Sequence, residues 1–180
     1  MGALTAQAAP APVTPAEIKA YLRIATSDED ALLAGLLRSA AELCEAFTGR
    51  ALIERAVEEK LPATAAWTRL GAAPVRAIEG LEAVGEDGTL EALPVGDYAI
   101  DIDAAGEGWV RLLTPGSAKS VRVSYRAGLA ADRNGVPEPL RHGIVRLAAH
   151  LYTHRDNANG GGPPAAVTAL WRPWRRLRLK

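Results

Sequence analysis

The sequence predicts an α+β protein in which a helical-bundle body carries an inserted small antiparallel β-sheet and ends in an extended C-terminal tail. Three observations predict it. Apolar residues recur at helical spacing in two stretches, 28–48 and 138–155. Short alternating or β-branched segments separated by turn residues fill positions 52–127. The last ten residues combine a proline, two tryptophans and five cations in no helical pattern. A chain of 180 residues, 48% of them apolar, is long enough for one real core. The length favours a single domain over 14–170, between a flexible N-terminal arm (1–13) and a tail (171–180).

The arm is expected from Ala8-Ala9-Pro10-Ala11-Pro12, a loose and partly extended composition. Thr14-Pro15-Ala16-Glu17 combines a capping box with proline at the first helical position, which predicts a helix over 15–23. Ser27 or Asp28 caps a second helix over 28–48, with Asp28, Glu29 and Asp30 favourable at its positive end. Leu32, Leu33, Leu36, Leu37, Ala40, Leu43, Cys44 and Phe47 form one apolar face of this helix, and Gly49 ends it.

Beyond Gly49 the period changes. Leu52 to Leu61, Val75 to Val84, Tyr98 to Ile102, Trp109 to Leu113 and Val121 to Arg126 are predicted strands. Reversals are expected at Glu86-Asp87-Gly88-Thr89, Ala105-Gly106-Glu107-Gly108 and Thr114-Pro115-Gly116-Ser117. Helix returns over 138–155, where Leu140, Ile144, Leu147, Ala148, Leu151 and Tyr152 make a stripe, and Pro163-Pro164 opens a last helix over 164–171.

The formal charge is zero, so no global field marks the chain for nucleic acid or membrane. Its distribution is uneven: residues 1–127 hold 12 basic and 18 acidic side chains, residues 128–180 hold 9 and 3. A basic last third therefore follows an acidic body. The single cysteine, Cys44, excludes an internal disulfide and fits a reducing compartment. Residues 1–13 lack the basic and leucine-rich regions of a secretory signal, and no apolar stretch approaches the roughly 18 residues that cross a bilayer. The expectation is a soluble protein with no membrane partner.

Catalytic and metal-binding patterns fail on inspection. His150 and His154 have the i, i+4 spacing of paired zinc ligands, but Leu151 stands where a metalloprotease helix carries its glutamate, and no third ligand is evident. Asp101 and Asp103 before Gly106 resemble the start of a calcium loop, yet Ala105 and Leu112 occupy ligand positions. Gly106-Glu107-Gly108 lacks the third glycine of a dinucleotide loop, and Cys44 belongs to a core face where a thiolate is disfavoured. The sequence predicts no enzyme, no cofactor and no metal.

The tail stands out. Trp171 and Trp174 flank Arg172-Pro173, and Leu177 and Leu179 alternate with Arg178 and Lys180, a pattern suited to a strand added to another protein's sheet. Each fully buried tryptophan or leucine would contribute roughly 1.5–3 kcal/mol. Composition serves equally a tail whose tryptophans fold back on their own domain. Arg/Trp interleaving also suits phosphate contact and base stacking, so a nucleic-acid-binding module using this tail is the alternative.

The order of motifs resembles the head-tail connector, or adaptor, proteins of long-tailed phages and gene transfer agents. Glu17-Ile18-Lys19-Ala20-Tyr21-Leu22-Arg23-Ile24, Asp28-Glu29-Asp30 and Glu45-Ala46-Phe47-Thr48-Gly49-Arg50 are similar to that family's N-terminal signature. Ala148 to Arg155 resembles its late helix ending in Tyr-x-x-Arg, and Leu170-Trp171-Arg172-Pro173-Trp174-Arg175 resembles its Leu-Leu-x-Pro-Tyr-Arg ending, with Trp171 for leucine and Trp174 for tyrosine.

The resemblance implies a virion protein, assembled in the bacterial cytoplasm as a ring at the head-tail interface of a phage or gene-transfer-agent particle. In many members the ring has twelve copies. It implies as partners the portal, the next tail-side connector or stopper, and packaged DNA passing without sequence-specific binding, for which an acidic channel wall suits sliding. It places portal binding at Leu170, Trp171, Arg172, Pro173, Trp174, Arg175, Arg176, Leu177, Arg178 and Leu179. Trp171, Trp174, Leu177 and Leu179 would serve as anchors, and the arginines as charge-assisted contacts.

Overall fold

The computed structural model describes residues 4–7, 11–114, 116, 118–154 and 162–176. It is an α+β structure whose chain divides into two compact units, residues 10–52 with 130–180 and residues 1–9 with 53–129. The second unit has a hydrophobic core of its own, which is why it forms a separate body.

The helical unit contains α1 (Pro15–Leu22), α2 (Asp30–Thr48), α3 (Glu138–Thr153) and α4 (Ala165–Trp171). The capping box at Thr14 is formed in both directions: Thr14 Oγ1 accepts from the Glu17 N–H at 3.4 Å, and the Glu17 carboxylate accepts from the Thr14 N–H at 2.7 Å. Gly49 closes α2 in the left-handed conformation (φ 68°), its N–H donating to Glu45 O at 2.8 Å.

Two expectations for α2 are corrected. The helix starts at Asp30 with Glu29 at the cap position and no side-chain cap, because Asp30 pairs with Lys19 at 2.8 Å and Tyr152 Oη donates to Glu29. Its apolar face is also wider than the surface that covers it. Leu33, Leu37, Ala40 and Cys44 are buried, whereas Leu32 and Leu43 are 39% and 44% exposed. The core of this unit includes Ile18, Leu140, Ile144, Leu147 and Trp171.

The β unit contains β1 (Leu4–Ala6), β2 (Arg55–Pro62), β3 (Thr68–Arg69), β4 (Val75–Val84), β5 (Leu90–Ala92), β6 (Tyr98–Ile102), β7 (Gly108–Leu112) and β8 (Ser120–Ala127). They form two antiparallel sheets, ordered β1-β2-β8-β4-β5 and β3-β7-β6. Val57, Leu61, Leu81, Val121, Val123 and Tyr125 of the first share one core with Val110 and Leu112 of the second. The alternation along β2 and β8 turns these side chains to one face.

The stretch expected as a loose arm supplies β1, whose Leu4, Thr5 and Ala6 pair with Glu59, Glu58 and Val57. Two bulges, between Val75 and Ala77 and between Ile78 and Gly80, interrupt the β4–β8 register. Glu59 is 6% exposed inside this unit, and its carboxylate accepts from Tyr125 Oη at 2.9 Å and from the Gly71 N–H at 2.8 Å. Burial first, then the Glu59 charge and hydrogen bond, push the Tyr125 hydroxyl above its ordinary value.

Candidate functional site

The C-terminal segment carries the side chains that the sequence marks for partner binding, and its geometry follows from where α4 ends. Val167 and Trp171, four apart, fall on the buried face of α4. Trp171 is fully buried, its ring 5.8 Å from that of Phe47, and its Nε1–H donates to Leu140 O at 3.4 Å. The indole lies against Gly143 of α3, where a Cβ would approach Nε1 to 2.1 Å.

After Trp171 the chain makes a single 3-10 turn, Arg172–Trp174, with Pro173 in its first positions, where a missing N–H costs nothing. The segment then crosses the C-terminal end of α2. Arg50 Nε donates to Trp174 O at 3.0 Å, and the Arg176 N–H donates to Thr48 O at 2.7 Å. Arg175 stands over the Phe47 ring at 5.7 Å, and the Arg176 side chain, 8% exposed, packs at Gly49. Three arginines thus gather where the last carbonyls of α2 concentrate partial negative charge.

The expected extended tail is therefore corrected for residues 171–176. They are helix end, 3-10 turn and a strap tied to α2, because proline fits the opening of a 3-10 turn and Trp171 finds its pocket within its own unit. In this conformation Trp171 and Arg176 are buried, Leu170 and Trp174 are half-buried, and Arg172, Pro173 and Arg175 face solvent. Leu177, Arg178, Leu179 and Lys180 lie outside the described residues. Sequence reasoning missed Gly143, Thr48 and Arg50 as the seat of the strap. A glycine inside a strong helical pattern costs about 1 kcal/mol against alanine and was the available signal of close approach.

The other candidate groups take structural places. His150 and His154 stack at 4.2 Å, and His154 Nδ1 lies 2.9 Å from Thr153 Oγ1. Among the described residues no three histidines, cysteines or carboxylates gather as a metal set. Asp103 Oδ1 accepts from the Ala105 and Glu107 N–H groups at 2.8 and 2.9 Å, which shapes the β6–β7 reversal with Gly106 at φ 77°. Asp101 pairs with Trp109 across β6 and β7. Cys44 is buried, and burial, with the Glu45 charge second, pushes its thiol up to about 12. No described helix is long and apolar enough to cross a membrane.

Residues 14–73 match the family described as Phage gp6-like head-tail connector protein. No curated protein matches the chain by sequence. Among solved structures, a chain from the neck of an empty GTA particle computed with C6 symmetry superposes with a TM-score of 0.81 at 27% identity, covering 99% of this chain and 97% of that one. A chain from the virion of a native gene transfer agent particle gives 0.77 at 26%, covering 98% and 97%. A chain from the neck of a native GTA particle computed with C12 symmetry gives 0.76 at 26%, covering 99% and 97%. The chain thus resembles head-tail connector proteins in sequence over α1, α2, β2 and β3, and a chain from the neck of a GTA particle in fold over nearly its whole length.

Proposed function

We propose that this protein is a structural subunit, without catalysis of its own, of a ring joining portal and tail in a phage or gene-transfer-agent particle. The observation that carries the reading is the near full-length likeness to neck chains of such particles, computed with six- and twelvefold symmetry. Identical copies related by rotation about the channel form a closed ring. The portal binds on one side, a tail-side connector or stopper on the other, and packaged DNA passes without sequence-specific contact. The β unit suits that passage. Two of its arginines are paired with carboxylates, Arg122 with Glu58 and Glu82 and Arg126 with Glu54, which lowers the positive charge they offer to a phosphate backbone.

Portal docking falls to the accessible part of the C-terminal strap, Arg172, Pro173, Trp174 and Arg175, continuing into Leu177, Arg178 and Leu179. Trp171 and Arg176 act indirectly by fixing the strap on α2. An aromatic half-shielded by its own subunit and flanked by exposed guanidinium groups has the composition of an interface anchor.

The test is electron microscopy of particles together with an Arg172→Ala, Trp174→Ala, Arg175→Ala variant. The expected result is a ring of this chain between portal and tail in the wild type, and heads left unjoined by a folded variant. A ring elsewhere, or undiminished joining, overturns the reading. Salt-sensitive duplex binding lost in the same variant would favour nucleic-acid recognition instead.

A further inference from the structure

A ring built by one rotation needs two different surfaces on every copy, because each subunit meets its neighbours through opposite sides. Among the described residues, the helical unit carries two apolar patches that no other element covers and that share no residue. The first is a seam along α2. Leu32, Leu36 and Leu43 fall at spacings of four and seven, on one line of the helix beside the stripe that is already buried. Leu32 and Leu43 are 39% and 44% exposed and Leu36 is half-buried. Gly35, Ser39 and Ala46 border the line, and nothing but the tip of Arg38 comes within 4 Å of a Cβ at Gly35. Small neighbours let another element approach closely.

The second patch is a cleft of about 520 Å³ between α1, α3 and α4, walled by Tyr21, Pro139, His142 and Val145. Tyr21 is 51% exposed there. Its charges gather at one edge, where Arg141 pairs with both Glu17 and Glu138, and the remaining wall is apolar or aromatic. A leucine seam and a cleft walled by Tyr21, Pro139 and Val145 are complementary in shape and polarity, a ridge and a groove on the same body.

We infer that the Leu32–Leu36–Leu43 seam of one copy seats in the Tyr21–Pro139–Val145 cleft of the next copy, and that this contact closes the ring. The inference rests on the ring assembly proposed above and names its interface. It divides the surface: α2's flank and the α1–α3 cleft face neighbouring copies, and the strap beyond Trp171 remains for the portal.

Site-directed cross-linking in assembled particles tests it, using Leu43→Cys and His142→Cys with a short bismaleimide. Both positions are exposed, and Cys44 is silent because it is buried with its thiol held protonated. The double variant should give a ladder of covalent multiples of this chain on a denaturing gel, and each single variant should give none. Adding Leu36→Asp should abolish the ladder. Particles that show the ring by electron microscopy but yield no ladder, a ladder from either single variant, or cross-links only to a different chain, overturn this interface and leave the ring reading standing. Particles in which this chain forms no ring overturn both.

Discussion

Trp171 Nε1 occupies the space a side chain at residue 143 would need, since a Cβ built on Gly143 would stand 2.1 Å from it. The two positions form a matched pair across α3 and α4, and the strap over α2 begins at that indole. Gly143→Ala must push the ring out of its pocket. Overpacking of this kind costs about 1–3 kcal/mol, more than the alanine gains as a better helix former. Thermal unfolding should show a lower Tm with a changed near-ultraviolet tryptophan signal; an unchanged Tm would mean the indole is not seated there.

The two tryptophans of the tail should separate cleanly. Trp171→Ala removes a fully buried side chain and should cost about 3–5 kcal/mol in denaturant unfolding. Trp174 is half-buried and is held through its backbone carbonyl, which Arg50 reaches whatever the side chain, so Trp174→Ala should cost no more than about 1 kcal/mol. Equal costs would contradict the division between a structural and a partner-facing tryptophan.

Arg50→Ala should free the strap without unfolding the protein. It removes one hydrogen bond from a charged donor, worth about 1.5–3 kcal/mol when shielded and less at this half-exposed position, while the Arg176 N–H still reaches Thr48 O. The expected readout is faster tryptic cleavage after Arg175, since Pro173 protects the bond after Arg172, at little changed Tm. Cleavage at the wild-type rate would show that the Arg50 contact does not hold the segment.

Much of the helical unit is legible in the sequence because its signals are local. Thr14-Pro15-Ala16-Glu17 states its own cap, Gly49 states a helix end, and the α2 leucines state a period. What was not legible depends on distant chain. Periodicity gives one face containing Leu32, Leu33, Leu36 and Leu43 but cannot say how much of it α3 covers, so the exposed seam emerges only in three dimensions. β1, β3 and β5 are three residues or fewer and too short to show alternation. Glu59 sits inside the polar-looking run Glu58-Glu59-Lys60, and the pairing of β2 with β8 turns it inward to meet Tyr125. Pro173 and the arginines suggested an extended tail because nothing local announces that Gly143, 28 positions from Trp171, is cut to receive it.

Tyr125 is the hub of a buried polar network in the β unit, and removing its hydroxyl should be costly. Tyr125→Phe deletes the donor to Glu59 and the acceptor for the Ala72 N–H at 3.1 Å, leaving a buried carboxylate and an amide short of a partner. The expected loss is about 1–3 kcal/mol. A Tyr125→Phe, Glu59→Gln double variant should recover part of it, because the uncompensated charge is gone. Additive losses in the double variant would show that the two groups do not interact.

The capping box should make the helical unit sensitive to acid. Burial raises the Glu17 carboxyl, but the hydrogen bonds from the Thr14 N–H and Thr14 Oγ1, together with the Arg141 guanidinium, outweigh burial and hold it below its ordinary value of 4.5. A carboxyl lowered on folding binds its proton more weakly in the native state. Its contribution is therefore present in full above 4.5, shrinks as pH falls from there, and is gone once pH passes below the lowered native value. Glu17→Gln keeps an acceptor for the cap and removes the charge. The stability gap between wild type and Glu17→Gln, measured by urea unfolding, should be constant from pH 7 to about 5 and close progressively below that. Thr14→Ala should cost about 1 kcal/mol at neutral pH and narrow the gap, since two of the three groups that lower the carboxyl are lost or displaced. A gap that stays the same down to pH 3 would show that the Glu17 carboxyl is not held low by this box.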